Sequence, residues 1–300
     1  MSTTAAAVAA SAATTRRKPK IDPRYLSAGL ITLILVVGQT QFEMLAGLDR
    51  LAVAIGTAIV CELVLSRWLR HTWPNVASAY ISGISVGILT QPAAGLVWPF
   101  ALGAAISITS KYVLTVRGRH LWNPTNFGVS GLLVAAPDAM AVLSTQWGND
   151  LLPIAVIWTL GLAIVWRVGR FHVSVTYILA FVVLAALRSA INGNPVRAEI
   201  APITGPMYQL FIFFMITDPR TTVSSWKGRT TVVVLVAVME CAIRLAQDDV
   251  IRQHVDVARY LPVAFASGAP LLALAIVGPI AMWIDLRRQA RAPRAAGPAA

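Results

Sequence analysis

The chain has 300 residues, 57% of them hydrophobic and only 13% charged, with a mean hydropathy of +0.68. A soluble domain carries about a quarter charged residues, so this composition excludes an ordinary water-soluble fold and points to helices in a bilayer. The formal charge of +12 lies in short loops and tails, where basic residues set membrane topology, rather than in a patch for nucleic acid.

Residues 1–24 are rich in Ala, Ser and Thr and then basic at Arg16, Arg17, Lys18 and Lys20. The apolar run that follows is of spanning length and lacks a small-residue cleavage site. The opening segment therefore reads as a disordered cytoplasmic tail, not a signal peptide. Residues 25–285 read as a single polytopic membrane domain, with spans near 25–47, 50–69, 77–91, 94–114, 124–142, 151–168, 172–188, 203–217, 229–246 and 259–285. Residues 286–300 form a basic cytoplasmic tail. The expected fold is thus an all-α integral membrane protein of about ten transmembrane helices.

Charge counting fixes the expected orientation. With the first segment inside, 19 of the 25 Lys and Arg fall in inner segments, and most acids fall outside. The positive-inside rule then places both termini in the cytoplasm. The two cysteines, Cys61 and Cys241, sit in apolar runs outside any C-x-x-C pattern. They read as inert thiols, not as cluster or zinc ligands.

Two span ends echo each other. Gly87-Ile88-Leu89-Thr90-Gln91-Pro92 and Phe214-Met215-Ile216-Thr217-Asp218-Pro219 each close an apolar run on Thr, a polar residue and Pro, five spans apart. Pro124 and Phe127 likewise match Pro262 and Phe265. Five is odd, so the second half crosses in the opposite sense: half-repeats at about 25–142 and 151–285 form an inverted repeat. In such folds the interrupted segments of both halves meet around a central site.

Most polar chemistry away from the termini lies in two interruptions. The first, Lys111 to Gly128, brings Lys111, Arg117, Arg119 and His120 up to Asn123-Pro124-Thr125-Asn126, a helix-start pattern with Asn as cap and Pro in the first turn. Such a positive concavity suits a phosphate or an anionic cofactor edge. The second, Met215 to Thr222, offers Asp218 as a cap, a partner for Arg220, a sodium ligand or a holder of a flavin ribityl hydroxyl, beside Thr221 and Thr222. Of the two deepest acids, Glu240 has Arg244 one turn on. Glu62 lacks an obvious partner within its span and is a candidate for ion coupling. His120, His172 and His254 read as surface residues without metal spacing. No catalytic nucleophile or dinucleotide motif is present.

Ser110-Lys111, Arg117-Gly118-Arg119-His120, Asn123-Pro124 and Phe127-Gly128 resemble the NqrB/RnfD family of electron-transport membrane subunits. So do Ile203-Thr204-Gly205-Pro206, Phe213 to Pro219 and Lys227-Gly228-Arg229. The likeness covers about residues 75–285. With Gln146-Trp147-Gly148-Asn149 it is greatest to a stand-alone branch met in enediyne biosynthesis clusters. The resemblance implies ten helices in two inverted halves in a bacterial plasma membrane, and electron transfer through flavin with quinone or redox-subunit partners. Members with covalent FMN carry Ser-Gly-Ala-Thr before the T-D-P run and esterify the flavin phosphate to that Thr. Here the same distance reads Gly205-Pro206-Met207-Tyr208, so covalent FMN is not expected. The expectation is a non-covalent flavin (FMN or riboflavin) at Asn123, Thr125, Asn126, Asp218, Thr221 and Thr222, with no catalytic residue and no metal. The alternatives are a transporter of secondary metabolism coupled through Glu62 and Asp218, and a structural anchor for partner proteins.

Overall fold

The computed structural model describes residues 23–143, 151–255, 258 and 261–291. The expected tail 1–24, apart from its last two residues, and the Gln146–Asn149 motif lie outside them. The apolar runs fold as helices: α1 (Pro23–Phe42), α2 (Leu48–Leu65), α3 (Ala77–Leu89), α4 (Trp98–Val113), α5 (Pro124–Ala135), α6 (Leu151–Arg167) and α7 (Phe171–Asn192). They continue with α8 (Pro206–Leu210), α9 (Trp226–Gln247) and α10 (Ala269–Arg291). Four stretches, Tyr25–Phe42, Phe171–Asn192, Trp226–Gln247 and Ala269–Arg291, are long and apolar enough to cross a membrane. The protein is a helical membrane protein.

The other helices are shorter than the expected spans, and proline accounts for most of the difference. Pro92 and Pro137 push the residues before them out of helical geometry. Hence α3 stops at Leu89 and α5 at Ala135. The chain released at these ends pairs with itself: Thr90–Pro92 (β1) runs antiparallel to Met140–Val142 (β4). A second pair, Thr115–Val116 (β2) with Arg119–His120 (β3), builds the basic hairpin. The run expected as one span at 203–217 is broken by Gly205-Pro206 into a tight turn, α8, and wide π-helical turns over Phe211–Met215. The last span divides at Gly268 into Ala264–Ser267 and α10. Helix α10 then runs to Arg291, so the start of the expected tail 286–300 is helical rather than free chain.

Small residues set the closest crossings. A Cβ at Gly128 of α5 would lie 2.0 Å from Ser107 Oγ and 2.6 Å from the Gly103 carbonyl of α4. One at Gly83 of α3 would lie 2.6 Å from the Ile55 Cα of α2. Helix α4 packs on α2 and α5, and α9 packs on α7 and α10. Between the halves, α1 meets α6, α3 meets α8, and α5 meets α10.

Pro279 sits inside α10. Lacking an N–H, it leaves the carbonyl four residues earlier, that of Ala275, without its helical donor. Trp122 Nε1 donates to that oxygen at 2.8 Å. Within a bilayer such re-satisfaction is what makes an interior proline tolerable, and here it ties the first interruption to α10.

Candidate functional site

Asn123 caps α5 as its sequence implies: its Oδ1 accepts the Asn126 N–H at 3.1 Å, and Pro124 opens the helix. The other end of the Asn123 amide reaches the second interruption, Nδ2 donating to Asp218 Oδ2 at 3.1 Å. Asp218 Oδ1 accepts the backbone N–H of Arg220 at 2.9 Å. Its carbonyl takes the Thr222 hydroxyl, also at 2.9 Å. Asp218 therefore closes its own turn and joins the two polar segments. Arg119 adds a second tie, Nη2 donating to the Thr222 carbonyl at 2.5 Å.

Beside this junction lies a cavity of about 580 Å³. Its lining combines Lys111, Tyr112, His120, Asn123 and Thr125 of the first interruption with Thr217, Asp218 and Arg220 of the second. Glu62, Arg70 and Arg170 complete its charged wall, and Phe213 and Phe214 its apolar one. Asn123, Thr125, Asp218 and Glu62 thus share one space. Asn126, Thr221 and Thr222 do not: they line a separate void of about 20 Å³, which Asn123 also borders. That void has room for about one water, so the six residues expected to hold a flavin divide between two compartments. The reason is geometric. The cap turns Asn126 inward along α5, where its Nδ2 donates to the Leu271 carbonyl at 3.1 Å.

Glu62 has a partner, supplied by another helix. Lys111 Nζ lies 2.7 Å from Glu62 Oε2, both side chains under 10% exposed. The Tyr112 hydroxyl donates to Glu62 Oε1 at 3.1 Å. Arg70 stacks over the Tyr112 ring at 4.4 Å. Lys111, counted by sequence among the topological charges, is instead a buried counter-ion. The signal for it was weak: a lysine one turn before the end of an apolar run.

His120 also departs from the surface position expected of it. It is 8% exposed, and its Nδ1 finds no hydrogen-bond partner among the described residues. Burial, then the charges of Arg220, Lys111 and Arg70, push its pKa down to about 4. Asp218 is pushed up from the usual carboxylate value by burial. The bonds from Arg220 N and Asn123 oppose this, as do the charges of Arg220 and Arg170.

A second buried polar cluster stands apart from this cavity. Glu240 is fully buried, pairs with Arg244 at 3.1 Å as the one-turn spacing implies, and accepts the hydroxyls of Tyr177 and Tyr208. Tyr208 also accepts from Arg244. Tyr208 and Arg244 border a further cavity of about 440 Å³. Cys61 and Cys241 lie on different helices, α2 and α9, both unbonded. Among the described residues no three His, Cys, Asp or Glu are placed to share a metal ion.

The sequence matches no protein-family model and no curated protein.

Proposed function

We propose that this chain is a membrane subunit of an NqrB/RnfD-like electron-transport system, and that its 580 Å³ cavity holds a flavin without a covalent bond. The observation carrying this reading is the meeting of the two polar interruptions, about a hundred residues apart in sequence, on one wall of that cavity. Its size lies within the usual range of about 300–1,000 Å³ for cofactor pockets. The donors and acceptors of Asn123, Thr125, Thr217 and Asp218 suit ribityl hydroxyls. Tyr112, Phe213 and Phe214 offer faces for a planar ring. When bound, the flavin would supply one- and two-electron chemistry. The protein's part is to bind it, orient it and exclude lipid.

The reading includes ten spans in two inverted halves. Its support is the pairing pattern: α2–α4 and α4–α5 in the first half correspond to α7–α9 and α9–α10 in the second. Across the halves α1–α6, α3–α8 and α5–α10 are each a helix against its own equivalent, an arrangement that a two-fold axis in the membrane plane allows. Both termini are proposed to lie in the cytoplasm of a bacterial plasma membrane, with quinone or redox subunits as partners. In favour, residues assigned inside by charge lie together: Arg170 Nη1 reaches Thr222 Oγ1 at 3.1 Å, and Arg117 reaches the Leu286 carbonyl at 3.4 Å. Residues assigned outside lie together elsewhere, Asn192 donating to Asp248 at 2.9 Å.

Flavin retention tests the site. With FMN supplied during expression, the wild-type protein should purify with flavin that Asp218→Ala and Asn123→Ala lose. Equal flavin in all three would remove Asp218 and Asn123 from the site.

One observation favours the transporter reading as the alternative: a buried ion pair, Glu62–Lys111, faces a cavity. Charged groups at membrane depth commonly mark ion paths. Glu62→Gln should then abolish ion-coupled uptake into proteoliposomes while leaving any bound flavin in place.

A further inference from the structure

The charges around the large cavity do not balance. Arg70, Lys111, Arg170 and Arg220 face it, against only Glu62 and Asp218. Lys111 is matched by Glu62 at 2.7 Å. None of the ion pairs among the described residues involves Arg70, Arg170 or Arg220. Arg70 is held by the Tyr112 ring and the Lys111 carbonyl, and Arg170 by a Thr222 hydroxyl, all uncharged partners. With both carboxylates ionised, the wall keeps an excess of about two positive charges, Arg70 and Arg220 being exposed and Arg170 half-buried. The charges of Arg220, Lys111 and Arg70 all act on the His120 ring, which places these groups within one field.

A cavity of this kind repels cations. A single carboxylate would neutralise half of the excess. A phosphate monoester brings about −1.5 to −2 charges at neutral pH and three strong acceptor oxygens, and guanidinium forks match that geometry better than ammonium does.

We propose that the cavity binds the dianionic head of a phosphate monoester, held by Arg70 and Arg220 with Arg170 flanking. This rests on the cavity assigned above to flavin and would make FMN, not riboflavin, the form it takes. A phosphate monoester can also come from a lipid headgroup, so the test must separate the two sources.

The experiment uses the full chain, purified in detergent and delipidated, with tryptophan fluorescence and thermal midpoint as readouts. Inorganic phosphate, FMN, riboflavin and phosphatidic acid in mixed micelles are titrated in turn. Inorganic phosphate should bind, and FMN should bind at least about tenfold more tightly than riboflavin. Arg220→Gln, an exposed position that the fold tolerates, should weaken both phosphate and FMN about tenfold or more, as expected for one lost charge-assisted contact. Phosphatidic acid displacing phosphate more strongly than FMN does would assign the phosphate monoester to lipid. Phosphate binding that Arg220→Gln weakens, without any flavin binding, would keep this inference and sink the flavin reading. Equal binding of FMN and riboflavin, indifferent to phosphate and to Arg220→Gln, would keep the flavin reading and overturn this inference.

Discussion

The Glu62–Lys111 pair lends itself to a double-mutant cycle. The two groups approach to 2.7 Å, with side chains 9% and 8% exposed, and Tyr112 adds a bond to the same carboxylate. Breaking a buried pair by removing one partner costs about 3–5 kcal/mol, because the other charge is left uncompensated. Two features of this site move the value to the low end. The pair borders a cavity that water can enter, and Gln at 62 still accepts from Tyr112. We expect Glu62→Gln to cost about 2–3 kcal/mol. Lys111→Met should cost somewhat less, since Arg70 stands by to stabilise the lone carboxylate. The double variant should recover much of the loss, giving a coupling of about 2 kcal/mol. The assay is urea or SDS unfolding of the detergent-solubilised protein, followed by tryptophan fluorescence. Additive single effects, with coupling below about 0.5 kcal/mol, would refute a strong ion pair at this position.

Other substitutions probe the packing and the site. Gly128→Ala should lose about 1–3 kcal/mol by overpacking α4 against α5. Ser107→Gly should restore only part of this, because the Gly103 carbonyl remains 2.6 Å from the new Cβ. Trp122→Phe strands the Ala275 carbonyl and should cost about 1–3 kcal/mol, whereas Pro279→Ala, which returns a helical donor to that oxygen, should rescue it in the same thermal assay. His120, pushed from 6.5 to about 4, takes up its proton later than the unfolded chain does. Its contribution is therefore full above pH 6.5 and is lost as pH falls toward 4, by at most about 3 kcal/mol and less where water screens. The thermal midpoint of His120→Asn should fall less than that of wild type over that window.

The helical membrane class was legible in composition, because so few charged residues remain once loops and tails are counted. The Asn123 cap and the Glu240–Arg244 pair were legible too, since both are contacts within a few residues whose geometry the helix itself dictates. The helix ends were only partly so. Pro92 was read as closing the third span, whereas the fifth was expected to run through Pro137 to 142, and nothing local showed that the segments Thr90–Pro92 and Met140–Val142 would pair. Contacts between distant helices left no local trace. Lys111 as the partner of Glu62, the burial of His120 and the turn of Asn126 away from the cavity all depend on how α2, α4, α5 and α10 are placed in space.

An absorption spectrum decides most directly whether the cavity serves a flavin. The detergent-purified protein, prepared gently with FMN supplied, is scanned before acid precipitation, and the supernatant is scanned after it. The proposed function predicts yellow flavin bands that acid releases into the supernatant. A colourless protein would contradict it, and colour remaining in the pellet would contradict the non-covalent attachment inferred from Tyr208.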